Sequence, residues 1–91
     1  MDNNHTFEAK LGAPKPASHY LKFWFKNQEL SAPHAAKVLG VSKSTVTRLL
    51  NGEGKLSIEI ANKLFVKYNI DPYLLFSLDA QYKSHIAKSI V

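Results

Sequence analysis

The segment from Leu30 to Gly52, LSAPHAAKVLGVSKSTVTRLLNG, constrains this chain more than any other stretch. Ser31 and Ser42 stand where a hydroxyl accepts from the unpaired backbone N–H groups of a helix's first turn. Gly40 and Gly52 stand where a helix ends in the left-handed conformation, which glycine adopts at no steric cost. Two short helices joined by a sharp turn follow from those positions. The small Ala36 lets the two helix backbones approach closely, and Val41 plugs the corner. In the second helix Val46, Leu49 and Leu50 recur at helical spacing as an inward stripe. The face that remains holds Lys43, Ser44, Thr47, Arg48 and Asn51, with Thr45 on its flank. All are donors or acceptors of a size that reaches base edges and phosphates.

Charge points the same way. The net charge is +5, and its excess lies between Lys15 and Lys55, where Lys15, Lys22, Lys26, Lys37, Lys43, Arg48 and Lys55 face only Glu29 and Glu53. The residues on either side nearly cancel. A positive field centred on the two-helix segment attracts a polyanion and makes binding fall with salt. Lys37 and Lys55 are therefore candidate phosphate contacts beside the reading face.

Around this segment the chain reads as one small domain. Met1 to Ala17 carries Gly12, Pro14 and Pro16 with few apolar groups and reads as a flexible arm. An untethered tail is the favoured reading of it. The alternatives are groove-following cations at Lys10 and Lys15, or a partner contact through Phe7 and Leu11. Ser18 is expected to cap a helix running to about Asn27, with Tyr20 and Trp24, and Leu21 and Phe25, paired four positions apart in the core. Ser57 is expected to cap a helix to Tyr68 whose inward set is Ile58, Ala61, Leu64 and Phe65. Asp71 and Pro72 open a last helix, with Pro in the first turn. Leu75, Leu78, Tyr82, Ile86 and Ile90 form a line along it that outlasts the bundle, so it is expected to be covered by a second copy in a dimer interface.

The pattern Leu30-Ser31, Ala35-Ala36, Leu39-Gly40-Val41-Ser42, Val46, Leu49 and Asn51-Gly52 resembles the helix-turn-helix of the Xre/Cro phage-repressor-like family. That resemblance implies an all-α fold, a five-helix bundle of the lambda-repressor-like kind over residues 18–91. It also implies sequence-specific binding of double-stranded DNA by a dimeric repressor or autoregulator on a palindromic operator. Ala32 stands where many members carry a phosphate-touching Gln, so that contact is expected to be absent or supplied by another group, with His34 and Lys37 the candidates. The later half is similar to HigA-type antitoxins of toxin–antitoxin modules, through Leu56-Ser57, Ala61, Leu64, Pro72, Leu75-Phe76, Leu78 and Tyr82. Leu75 replaces the usual Trp and Asp79 the usual Gln. A protein toxin is the partner this narrower resemblance implies.

Other function classes find little support. The chain has no cysteine, and His5, His19, His34 and His85 lack paired metal-ligand spacing. There is no serine elbow or acid pair, so an enzyme is not expected, nor a cofactor. Gly52-Glu53-Gly54-Lys55 lacks the Gly-Lys-Ser/Thr of a phosphate loop. RNA-binding signatures are missing. No run is long and apolar enough for a membrane span, and cytoplasmic residence is the expectation.

Overall fold

The computed structural model describes residues 12–90. Five helices follow one another: α1 (Ala17–Asn27), α2 (Ala32–Leu39), α3 (Lys43–Asn51), α4 (Ile58–Tyr68) and α5 (Pro72–Ser89). The expected all-α fold is the one observed. The readings made of Lys10, Phe7 and Leu11 lie outside the described residues.

Local chemistry sets most boundaries. Ser31, Ser42 and Ser57 each accept from the backbone N–H three residues on, and Asp71 accepts from Tyr73 N–H ahead of Pro72 in the first turn. Gly40 (φ 71°) and Gly52 (φ 75°) end α2 and α3 in the left-handed conformation. Val41 N–H then reaches back to Ala36 O at 3.0 Å, and Glu53 N–H to Arg48 O at 2.9 Å, satisfying carbonyls that the helices leave open. Glu29 (φ 55°) and Asn69 (φ 56°) perform the same closure after α1 and α4 without glycine. In both cases the next amide, of Leu30 or Ile70, bonds back onto the helix.

The start of α1 departs from expectation. The helix begins at Ala17, preceded by Pro16 with no side-chain cap, and Ser18 is one residue inside it. Its cap comes from across the molecule: Ala17 N–H donates to Asp79 Oδ1 on α5 at 2.8 Å. Ala17 is itself core, although it reads in sequence as the last residue of the arm.

Leu21, Val46, Leu64 and Leu75 are fully buried, joined by Phe25, Ala35, Ala36, Leu39, Ala61 and Ile70. Helices α2 and α3 pack tightly on each other, α1 lies across α3 and α5, and α4 packs on α2 and α5. Trp24, Phe25 and Tyr68 form an aromatic cluster with ring centroids 5.4–6.2 Å apart. That cluster rotates α4 away from its expected setting. The inward set is Ile60, Ala61, Leu64 and Tyr68, while Ile58 is 81% and Phe65 47% exposed.

On α5, Leu75 is buried and Leu78 and Tyr82 are half-buried, whereas Ile86 and Ile90 are exposed, and Ile90 lies just past the helix end. Leu75 is thus a core residue with no surface to offer a second chain, contrary to its expected place in a dimer interface. No helix among the described residues is long and apolar enough to cross a membrane.

Candidate nucleic-acid interface

The second helix of the corner, α3, is mounted with one side in the core and the other open. Val46 is fully buried and Leu49 and Leu50 are half-buried, so the stripe inferred from spacing faces inward. Lys43, Ser44, Thr47, Arg48 and Asn51 are exposed, and Thr45 is half-buried on the flank. The structure therefore leaves five of these side chains open to solvent along α3, with Thr45 on the flank beside them. Among the described residues no ion pair engages Lys43 or Arg48, so their charge is available to a polyanion.

Hydroxyls order the first turn. Ser42 Oγ accepts from Thr45 N–H at 3.1 Å and lies 3.1 Å from Ser44 Oγ and 2.8 Å from Thr45 Oγ1. Thr47 Oγ1 donates to Lys43 O at 3.1 Å. Its proton is thereby committed to the backbone, which leaves the oxygen as an acceptor and the methyl as an apolar contact of the kind that meets a thymine methyl.

Two contacts between helices hold the corner still. Lys63 on α4 donates from Nζ to Leu39 O at 3.2 Å, satisfying a carbonyl at the C-terminus of α2 where a cation is favoured. Glu59, one turn back, lies 4.0 Å from the same ammonium. At the other end of α3, Gly52 meets α1 so closely that a Cβ there would stand 2.8 Å from Ser18 Oγ.

Below this approach is a recess of about 270 Å³ between the start of α1, the flank of α3, the loop after Gly52 and Asp79. Thr45, Arg48 and Lys55 line it together with Ser18, Glu53 and Asp79. Arg48 therefore sits at the edge of the exposed face, between helix and recess. Lys55 joins it there, while Lys37 is exposed on α2, apart from the recess. Sequence reasoning missed Ser18 and Asp79 as members of this neighbourhood. Asp79 had one visible signal, its departure from the Gln of the resembling family, and the capping bond to Ala17 gives that departure a structural use.

Burial lifts the Tyr68 phenol above the ordinary tyrosine range, and its hydroxyl is a buried polar atom with no hydrogen-bond partner. Among the described residues no group of three or more His, Asp or Glu is arranged to hold a metal ion.

Comparison with known proteins gives the same architecture. A helix-turn-helix family profile matches residues 25–75. No curated protein sequence matches the chain. Solved structures similar to it include a candidate antidote protein of a plasmid maintenance system from Nostoc punctiforme (20% identity, TM-score 0.76, 86% of each chain covered). An addiction-module antidote protein of the HigA family from Coxiella burnetii is similar at 23% identity and TM-score 0.75, again over 86% of each chain. The antitoxin GraA is similar at 24% identity and TM-score 0.77, over 86% of this chain and 85% of that one. At these identities the likeness is one of fold.

Proposed function

The chain belongs to the helix-turn-helix family, and on that premise we propose that it binds double-stranded DNA sequence-specifically, as a dimeric repressor or autoregulator on a palindromic operator in the cytoplasm. The observation that carries this reading is the open polar face of α3, held between two left-handed glycine caps. Ser44, Thr47 and Asn51 are the base-edge readers, and Arg48 reads a base from the edge of the face. Lys43, Thr45, Lys55 and Lys37 fix the helix on phosphates. Two copies present two such helices to successive major-groove faces about 34 Å apart, so that modest half-site affinities combine. Tyr82 and Ile86 along α5, with Ile90 just past its end, face the second copy.

Selection of bound sequences from a random duplex pool tests the reading. One recurring motif with two-fold symmetry is expected. Against that motif Arg48→Ala costs about 1–3 kcal/mol, with the loss confined to the cognate sequence. Lys43→Ala weakens all duplexes alike and flattens the salt slope by about one unit. Equal affinity for every duplex in the pool rejects the proposal.

The likeness to three antidote and antitoxin structures favours a second reading, in which the chain neutralises a protein toxin and binds DNA to regulate its own synthesis. A small adjacent reading frame whose product copurifies with this chain and loses toxicity in its presence supports that reading. A product that remains toxic when coexpressed with this chain counts against it.

A further inference from the structure

The recess beside α3 is lined by two cations and two carboxylates, and one of these four charges is fixed in place. Arg48 enters it from α3, Glu53 and Lys55 from the loop after Gly52, and Asp79 from α5. Arg48, Glu53 and Lys55 are exposed, while Asp79 is half-buried. Asp79 is also tied. Its Oδ1 accepts from Ala17 N–H at 2.8 Å, at the start of α1, where the partial positive charge of the helix favours an anion. Glu53 has no such tie and its charge can swing into solvent. Among the described residues no ion pair joins Asp79 to Arg48 or Lys55, so the guanidinium is free to leave the recess. The recess is small, about 270 Å³, and the Asp79 carboxylate acts on Arg48 across it within the roughly 10 Å over which 0.1 M salt screens charge.

We propose that Asp79 is a specificity-determining residue of the DNA interface: its fixed carboxylate holds Arg48 back from phosphate, so that the guanidinium engages DNA where a base receives it. The inference rests on the DNA-binding reading given above, in which Arg48 reads a base from the edge of the face. Binding to unrelated sequence is almost wholly neutralisation of phosphates by cations, whereas cognate binding adds contacts to base edges. On an unrelated duplex Arg48 has no matching base and two anionic destinations, a phosphate or the recess. Asp79 makes the recess competitive, and the same carboxylate repels a phosphate that approaches Arg48 from that side. On the operator the base edge takes the guanidinium, and the carboxylate then costs less. Asp79 thus weakens unspecific binding more than specific binding. Specificity is a difference of two affinities, and a group that opposes the wrong partner raises it as surely as one that attracts the right one.

Asp79→Asn separates the charge from the helix cap, because the amide oxygen still accepts from Ala17 N–H. The full chain and its variants are titrated by fluorescence anisotropy, across a salt series, with a duplex of the selected motif and a duplex of unrelated sequence. Thermal melting by circular dichroism establishes that each variant is folded, and Asp79→Gln supplies a second neutral acceptor if Asp79→Asn is not. Asp79→Asn is expected to tighten binding of the unrelated duplex about three- to tenfold and to steepen its salt slope by up to about one unit, the sign of one more phosphate neutralised. Affinity for the selected motif changes less, so the ratio of the two falls. A cap that served structure alone would weaken both duplexes on removal and leave the slope unmoved. In an Arg48→Ala background the effect of Asp79→Asn should vanish, and Glu53→Gln, which changes net charge equally, should not reproduce it. Unchanged affinity of folded Asp79→Asn for the unrelated duplex overturns the inference, as does an equal effect without Arg48 or from Glu53→Gln. The DNA-binding reading survives those results so long as the wild type prefers the selected motif. A wild type that binds both duplexes alike overturns that reading and the inference with it.

Discussion

Gly52 and Gly40 close consecutive helices with nearly the same backbone, φ 75° and 71°, yet alanine should affect them unequally. Placing a Cβ on a left-handed residue costs about 1–2 kcal/mol, of which about 0.4–1 is recovered because alanine restricts the unfolded chain. That backbone contribution, about 1 kcal/mol, is common to both sites. At Gly40 nothing is added, since the nearest atom to the new Cβ is Lys63 Nζ at 3.9 Å, an ordinary contact. At Gly52 the new Cβ lies 2.8 Å from Ser18 Oγ, and the serine must leave its rotamer or α1 must shift. An off-rotamer side chain costs about 0.5–1.5 kcal/mol. Gly40→Ala should therefore lose about 1 kcal/mol and Gly52→Ala about 2, read from urea unfolding with a shared slope. Ser18→Ala removes the clashing oxygen, whose Cβ would remain 3.6 Å away. In the double variant Ser18→Ala/Gly52→Ala the loss should return to about 1 kcal/mol, a coupling of the size expected for side chains in contact. Equal losses at the two glycines, or no recovery with Ser18→Ala, would refute the packing of α1 on the end of α3.

Lys63→Met keeps the length of the side chain but removes its bond to Leu39 O. A bond to a charged donor is worth about 1.5–3 kcal/mol, and partial exposure of the ammonium places the expected loss near 1. Operator affinity should fall with the salt slope unchanged, because Lys63 positions the corner without touching phosphate, and a slope lowered by a full unit would contradict this role. Tyr68→Phe deletes a buried hydroxyl that has no partner, so urea unfolding should show stability unchanged or raised by about 1 kcal/mol. The variant should also lose a pH effect. The folded pKa of Tyr68 is above the unfolded value, so the folded protein retains a proton that the unfolded chain releases. Stability is then full below pH about 10 and declines as pH rises toward the folded pKa, a decline specific to the tyrosine form. A Phe variant with the same alkaline decline as the wild type would remove this account.

The parts of the fold legible in sequence are those decided within a turn of the chain. Ser31, Ser42 and Ser57 act on amides three residues ahead, and Gly40 and Gly52 act on their own φ, so residue type alone marks these boundaries. The exposed face of α3 followed because its apolar stripe, Val46, Leu49 and Leu50, has no rival on the same helix. Helix α4 does have a rival. Ile58 with Phe65 and Ile60 with Leu64 are both apolar at helical spacing, and periodicity cannot rank them. The choice is made by residues distant in sequence, where Trp24 and Phe25 of α1 engage Tyr68 and turn Leu64 inward. Ile58 and Phe65 are thereby left outside. The start of α1 was illegible for the same reason, since its cap is a carboxylate on α5 and the adjacent Ser18 was the only local candidate. Both misreadings have one physical origin: a local rule was applied where a long-range contact sets the outcome. The rotation of α4 leaves Ile58 and Phe65 exposed, whereas the polar face of α3 is set by its own apolar stripe and caps.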